Sequence, residues 1–328
     1  MSLGTGRRWV TAAAAGVTTH RLRAALGTIA GEHAAEATTV APVPPVPPTA
    51  FAALLTGLVG DPVRWIRTNH RGETVSLLEG PATAAGLLVG GVLGAPDARG
   101  ALAATVATAG GATFGLIDDL TQDPHQAKGL RGHLGALRHG TLTTGGLKVL
   151  GIGASGLLAA AIATPTRRAD GAPVARFGWA FDVATSGALI AATANLINLL
   201  DLRPGRALKG AAILAAPLAL TDGAGSGLAA GVVGAAAGSA EDDLAERDML
   251  GDGGANALGA LVGTAVVLGA PRVVRLAVLA GAVALTVASE RVSFSKVIAA
   301  TRGLRELDAW GRRPAKDASA AGTQDQPA

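Results

Sequence analysis

The stretch Phe114–Asp123, FGLIDDLTQD, decides the fold. It joins the apolar run Ala101–Ile117 to a polar stretch that begins with two adjacent carboxylates, Asp118 and Asp119. The apolar run is typical of a membrane helix, and two neighbouring aspartates at the mouth of such a helix repel each other. A divalent cation, a phosphate-bearing substrate with its metal, or contact with water would each relieve that repulsion. The stretch therefore predicts a membrane helix that ends at a polar site.

The composition indicates a membrane protein. Of the 328 residues, 49% are hydrophobic and only 16% are charged, which is less charge than a soluble domain of this length carries. The chain has no Cys, so it has neither a disulfide nor a thiolate metal site. The net charge of +4 comes without the basic, aromatic-interleaved run that nucleic-acid-binding proteins carry. We therefore predict the membrane as a partner and no nucleic acid.

Eight apolar segments follow the first polar loop, and their Gly and Ala residues suit close helix packing in lipid. The segments are Ala82–Ala95, Ala101–Ile117, Leu147–Thr164, Trp179–Leu200, Ala207–Leu220, Gly223–Ala240, Ala255–Ala270 and Val273–Ser289. Several are shorter than the roughly 20 residues of a straight span, so we expect their helices to extend into polar flanks. The pattern predicts an all-α, polytopic membrane helix bundle with about 8–10 transmembrane helices.

The chain divides into three parts. Residues 1–60 form a poorly defined N-terminal segment with a Pro-rich linker, APVPPVPP at Ala41–Pro48, and with either a weak first span or an irregular amino terminus. Residues 61–290 form the multi-span domain. In residues 291–328, Leu and Trp recur at helical spacing among charged residues, which predicts an amphipathic helix on the cytoplasmic membrane surface and then a disordered tail.

Basic residues crowd alternate loops. Arg and Lys are abundant at 61–81, 118–146, 201–208, 241–254 and in the tail, and they are fewer in the intervening loops. By the positive-inside rule, the loops rich in Arg and Lys are cytoplasmic. We therefore predict a multi-pass protein of the cell membrane whose acidic clusters share the cytoplasmic face.

A second cluster lies near the end of the fourth segment. Asn195, Asn198 and Asp201 recur every third residue, so they occupy one face of an otherwise apolar helix. Arg203 and Arg206 follow and supply the positive charge that a diphosphate requires. Hydrogen bonds between helices are the alternative role for either Asn alone.

A third cluster is Met249–Asn256, MLGDGGAN. Glycines flank Asp252 and allow a backbone to approach a ligand closely, and Asp252 opens the apolar helix that follows. A helix N-cap and a metal ligand are both compatible with this position.

In this order and spacing, GLIDDL, NLINLLD and MLGDGGANALGALVG resemble the three cytoplasmic motifs of the polyprenyl-phosphate sugar-1-phosphate transferases. That family includes phospho-N-acetylmuramoyl-pentapeptide transferase and UDP-N-acetylglucosamine-1-phosphate transferases. The resemblance covers the chain from about Arg64 to about Ser289. It implies a Mg2+-dependent transfer of a sugar-1-phosphate from a UDP-amino sugar to a polyprenyl phosphate, in the synthesis of peptidoglycan or another cell-envelope polymer.

The resemblance also implies a role for each motif residue. Asp118, Asp119 and Asp252 are predicted as catalytic residues and as Mg2+ ligands. The predicted substrate-binding residues are Asn195, Asn198, Asp201, Lys128, Arg203 and Arg206.

The chain departs from the family pattern in three places. All six His residues lie at or before His139, so the family's late His-rich loop has no counterpart here. The Asp-Gly-x-Asp-Gly motif becomes Asp201-Leu-Arg-Pro204-Gly205, which lacks the second carboxylate, and the third acidic residue after the Asp pair is displaced to Asp123. A second hypothesis therefore stays open, a non-catalytic relative that binds polyprenyl phosphate or a lipid-linked precursor as a scaffold, regulator or transport component. The oligomeric state is open, and a homodimer is one option.

Overall fold

The computed structural model describes residues 5–36, 62–69, 71–121, 143–167 and 170–314, and these residues are mostly helical. The helices are α1 (Thr5–Glu36), α2 (Glu79–Gly94), α3 (Ala98–Leu120), α4 (Thr144–Ala163), α5 (Arg176–Leu200), α6 (Arg206–Ala219), α7 (Ser226–Leu244), α8 (Gly251–Gly269), α9 (Arg272–Ser289), α10 (Phe294–Ala300) and α11 (Arg302–Ala309). A short antiparallel hairpin, β1 (Ile66–Thr68) and β2 (Thr74–Ser76), follows a 3-10 turn at Pro62–Trp65. The helical prediction is confirmed for the described residues, and this hairpin is the exception to an all-α fold. The Pro-rich linker and the predicted disordered tail lie outside those residues.

Four of the described helices, α3, α4, α5 and α9, are long and apolar enough to cross a membrane. Helix α9 packs mainly against α5, and Ala282 is the one residue in it that the structure buries. An apolar helix that the rest of the chain leaves exposed is typical of a helix surrounded by lipid. The eight predicted apolar segments coincide with α2 to α9, although α2 and α6 have only 16 and 14 residues.

Helix α8 is the centre of the bundle, because α2, α3, α5, α6 and α7 all pack against it. Every residue from Gly253 to Ala265 is buried. Glycine allows this close approach: a Cβ added to Gly259 would lie 2.3 Å from the carbonyl oxygen of Thr193 on α5. The small side chains therefore set how near the neighbouring helices come to α8.

The amino-terminal helix α1 lies along α2 and α7. Near its start, Arg8 pairs with Asp222 at 3.1 Å, just before α7 begins. About four turns later, Arg23 pairs with Asp242 and Asp248 around the end of α7. Residues 5–36, which belong to the segment for which the sequence left open a weak span or an irregular terminus, thus form a continuous helix that lies along α7.

The loops that are rich in Arg and Lys, and that we therefore predict on one side of the membrane, meet at one end of the bundle. In the turn of the β-hairpin, Asn69 donates a hydrogen bond to Glu246 at 3.0 Å, beyond the end of α7. Arg67 donates to the backbone carbonyl of Asp119 at 2.6 Å, near the end of α3. This end of the bundle, which we call the polar end, holds the three acidic motifs.

We expect Gly259→Ala to lower the free energy of unfolding by about 1–3 kcal/mol, because the added methyl group forces α8 away from α5. The measurement is denaturation in detergent micelles followed by Trp fluorescence. Gly153→Ala in α4 is the matched control, because a Cβ there meets nothing within 4 Å. Equal stability of the two variants would contradict the close approach of α5 and α8.

Candidate functional site

The first turn of α8 is held by a carboxylate from another helix. The backbone N–H groups of Asp252 and Gly253 donate to Oδ1 and Oδ2 of Asp119 at 3.1 and 2.9 Å. The first N–H groups of a helix have no partner within it, so Asp119 acts as an N-cap of α8 that is supplied from α3. The backbone N–H of Gly251 also favours the charged form of Asp201, the residue that follows α5.

A lysine joins the other two motif carboxylates. Lys148 Nζ lies 2.9 Å from Oδ2 of Asp118 and also forms an ion pair with Oδ2 of Asp252. Asp118 comes from the last turn of α3, Lys148 from the second turn of α4 and Asp252 from the first turn of α8. The three charged groups thus come from three different helices. The ammonium group offsets the repulsion between the two carboxylates.

Beside this triad lies a cavity of about 290 Å3, which we call the amide cavity. Its lining residues are Asp118, Gly145, Lys148, Val149, Ile152, Ala191, Asn195, Asn198, Leu199, Asn256, Thr286, Ser289 and Glu290. Asn195 donates to Thr286 Oγ1 at 3.1 Å, and Asn256 donates to the backbone carbonyl of Asp252 at 2.7 Å. Oδ1 of Asn198 is buried and has no hydrogen-bond partner among the described residues. The cavity thus combines an ammonium group, two carboxylates, three amides and apolar walls.

A smaller pocket of about 160 Å3, the acidic pocket, lies at the same end. It is lined by Thr68, Asn69, Val75, Asp201, Leu202, Arg203, Pro204, Asp243, Glu246, Asp248 and Met249. Two of its four carboxylates, Glu246 and Asp248, are paired with arginines. Burial raises the pKa of Asp201 well above its usual range, and the charge of Asp243 adds to this shift. The pocket is therefore less suited to a phosphate than the amide cavity is.

The structure separates the predicted site residues into groups. Around the triad and the amide cavity lie Asp118, Asp252, Asn195 and Asn198. Asp119 caps α8, and Asp201 lines the acidic pocket together with Arg203. The side chain of Arg206 binds Asp308 of α11 at 2.7 Å, and its backbone N–H donates to the carbonyl of Arg203 at 3.2 Å. Lys128 lies outside the described residues.

Lys148 and Asn256 are site residues that the sequence argument missed. Lys148 is a single cation in the apolar sequence TGGLKVLGIG, and an ionisable residue inside a membrane segment is itself a signal of function. Asn256 lies one helical turn after Asp252, on the same face of α8. Both signals were in the sequence, but neither identifies a partner.

The donor set fits Mg2+ only in part. Among the described residues, no group of three or more His, Asp or Glu side chains could hold a metal ion. Both oxygens of Asp119 already accept backbone N–H groups, whereas Asp118 and Asp252 converge on Lys148. Magnesium is commonly bound by one or two carboxylates together with water and substrate phosphates. Asp118 and Asp252 therefore fit a Mg2+ ion only where oxygen ligands from outside the protein complete its coordination.

We expect Asp119→Ala to destabilise the chain by ~2 kcal/mol, because two buried N–H groups lose their acceptor. Backbone amide exchange of Asp252 and Gly253, measured by hydrogen–deuterium exchange, should accelerate by about tenfold or more. The matched control is Asp97→Ala, which removes the local N-cap of α3, a bond to the N–H of Gly100 at 2.7 Å. Unchanged exchange at α8 in Asp119→Ala would contradict the capping role.

In comparisons with known proteins, the sequence matches no protein-family model and no curated protein.

Proposed function

We propose that the chain is an integral-membrane transferase that moves a sugar-1-phosphate from a UDP-linked amino sugar to a polyprenyl phosphate. The observation that carries the proposal is the convergence of Asp118, Lys148 and Asp252 beside the amide cavity, at the polar end of a bundle with four apolar helices. An ammonium group and amide N–H groups bind phosphate oxygens, and the apolar walls suit a polyprenyl chain. The order of the three motifs supports the same reaction.

In this reaction, an oxygen of the lipid phosphate attacks the β-phosphorus of the UDP-sugar. The bond from the β-phosphorus to the bridging oxygen breaks, and that oxygen leaves with the electron pair as part of UMP. The new bond gives a lipid-diphosphate sugar. Phosphoryl transfer depends mainly on positioning and charge neutralisation, so it does not require a nucleophile from the protein.

Lys148 is the residue that we assign to the phosphate oxygens. Without substrate, its ammonium group is held between Asp118 and Asp252. Asn195 and Asn198 supply amide groups from α5, and the unpartnered Oδ1 of Asn198 accepts a hydrogen bond from a substrate hydroxyl or amide. The substrate thus replaces contacts that the polar end makes internally.

Mg2+, when bound, supplies further neutralisation of the phosphate charge. Asp118 and Asp252 would hold it together with substrate oxygens. Asp119 is a positioning residue in this proposal, because it fixes the backbone of Asp252 and not the metal.

We further propose that α2 to α9 all lie in the membrane, as part of about 8–10 spans, with the polar end at the cytoplasmic face. The concentration of Arg and Lys in the loops of that end supports this orientation. A transferase placed in this way would serve the synthesis of a cell-envelope polymer.

The second candidate function is a non-catalytic protein that binds polyprenyl phosphate or a lipid-linked precursor. It is favoured by one observation, that Asp119 is engaged in capping and Asp201 lines the acidic pocket, which leaves two motif carboxylates beside Lys148. The lipid phosphate would then bind at Lys148, and no donor sugar would be turned over.

We expect purified protein in detergent, given Mg2+, a polyprenyl phosphate and a panel of UDP-amino sugars, to release UMP. Asp252→Asn and Lys148→Gln should each lower the rate by about 100-fold, because each removes a charge that acts on the transferring phosphoryl group. Asp170→Asn, in the exposed loop between α4 and α5, is the control and should keep the rate.

The same samples separate the two candidate functions when the binding of radiolabelled polyprenyl phosphate is measured. No UMP from any donor, together with lipid binding that Lys148→Gln weakens, would establish the binding protein. Lipid binding that Lys148→Gln leaves unchanged, without turnover, would contradict both.

A further inference from the structure

The C-terminal strap, residues Phe294–Pro314, folds back over the polar end of the bundle. It comprises α10, α11 and the five residues that follow them. None of the residues of α10 and α11 is buried. The strap is therefore attached through hydrogen bonds and ion pairs more than through an apolar core, and ligands can compete for such contacts.

The first attachment is at the start of α6. Arg206 is only 7% exposed, and its Nε and Nη2 donate to the two carboxylate oxygens of Asp308 at 2.7 and 3.1 Å. Its Nη1 donates to Ser295 Oγ at 2.9 Å. A two-point contact between a guanidinium and two oxygens is also how Arg binds a phosphate.

Lys209, one turn further along α6, is surrounded by oxygen atoms of the strap. Its Nζ donates to the backbone carbonyls of Leu307, Asp308 and Trp310 at 3.0, 3.0 and 2.6 Å. Carbonyl oxygens carry no net charge, so they satisfy the donors of Lys209 without neutralising it.

Positive charge is in excess at this attachment. Arg312 also donates to Asp308, at 3.0 Å, while its Nε is buried without a hydrogen-bond partner in the described part of the chain. Lys209 is also acted on by the buried Asp243, which accepts the N–H of Gly205 at 2.7 Å. Among the described residues, three cations thus face two carboxylates, and one donor is unpaired.

Asp308 itself is held as an anion. Burial acts to raise its pKa, but its bond to Arg206 and the charges of Arg206, Arg312 and Lys209 outweigh burial and keep the pKa below its ordinary value. The carboxylate of Asp308 carries one negative charge. A phosphate with two negative charges in the same position would neutralise the surrounding cations more completely.

The second attachment is at the β-hairpin. Arg313 pairs with Glu73 at 2.7 Å, and Arg71 donates to the backbone carbonyls of Arg313 and Pro314 at 3.1 and 2.7 Å. The two attachments flank the acidic pocket, because residues next to each of them line it. Release at α6 would free the strap on that side of the pocket.

We propose that Arg206, Lys209 and Arg312 form a phosphate-binding site, that Asp308 occupies this site as an internal ligand, and that a phosphate-bearing ligand displaces it and releases the strap from α6. The ligand is a compound with a diphosphate or phosphate group, either free in solution or as the headgroup of a membrane lipid. The inference rests on the ionic contacts of the strap and holds whether or not the chain transfers a sugar phosphate.

The test uses the full-length chain, whose lack of Cys allows two spin labels to be placed without background. Labels at Gly303→Cys in the strap and Leu202→Cys before α6 report the distance between them by pulsed electron paramagnetic resonance. A Cβ on Gly303 meets nothing within 4 Å, and Leu202 is 63% exposed, so neither label disturbs packing. Inorganic pyrophosphate is titrated in metal-free buffer.

We expect pyrophosphate to lengthen and broaden the label distance. In Asp308→Asn, the concentration at half-effect should fall by about tenfold, because the competing internal charge is gone. In Lys209→Gln, it should rise by about tenfold, because a phosphate partner is lost. Glu306→Gln is the control, because exposed Glu306 pairs with Arg302 within the strap and should leave the titration unchanged.

A second arm identifies the source of the phosphate. The labelled chain is placed in nanodiscs of phosphatidylglycerol or of phosphatidylcholine without pyrophosphate. Strap release in phosphatidylglycerol alone would assign the site to an anionic lipid headgroup, and release only by added pyrophosphate would assign it to a free ligand.

A label distance that neither pyrophosphate nor anionic lipid changes would overturn the proposal, as would equal titrations of Asp308→Asn, Lys209→Gln and the unaltered chain. Thermal unfolding of each variant, followed by Trp fluorescence, shows whether the bundle is intact. The readout is the position of the strap and not the release of UMP. The strap proposal can therefore hold for a chain without transferase activity, and it can be contradicted in an active transferase.

Discussion

The capping of α8 by Asp119 from α3 is the interaction on which the rest of the polar end depends. A buried N–H group that has no hydrogen-bond partner costs about 1–3 kcal/mol. Asp119 supplies the acceptors for the N–H groups of Asp252 and Gly253 in the first turn of α8. The same bonds fix where Asp252 lies, so the cap places the one motif carboxylate of α8 beside Lys148.

Short-range ion pairs offset charges at the polar end. Lys148 offsets Asp118 and Asp252, Arg23 offsets Asp242 in the last turn of α7 and Asp248 after it, and Asp308 of the C-terminal strap offsets Arg206. Each pair keeps a buried charge from standing alone, which would be costly. The same kinds of group bind phosphates and cations, so a ligand that binds at Lys148 or Arg206 would exchange with an internal partner.

The helices of the bundle were predictable because hydropathy is a local property. Each apolar segment became a helix, and the charge bias of the loops grouped the acidic motifs at one end before any contact was known. Other features were not predictable. In the sequence, Lys148 lies near the edge of its apolar segment. The basic and His residues of α1 interrupt its apolar pattern and so hide a continuous helix. In both cases the partner that accommodates the charge is distant in sequence, since Arg23 binds Asp242 at the end of α7 and Asp248 after it.

The sequence by itself determined that the chain forms apolar helices with carboxylates, amides and cations gathered at their polar ends, because periodicity and hydropathy depend on neighbouring residues only. The tertiary structure decided what each polar residue does. Asp118 and Asp119 are adjacent in the chain, but successive residues of a helix point about 100° apart. Asp118 therefore meets Lys148 at the amide cavity, while Asp119 turns to the start of α8 and caps it. Only the packing of α3 against α8 and α4 could assign those two roles.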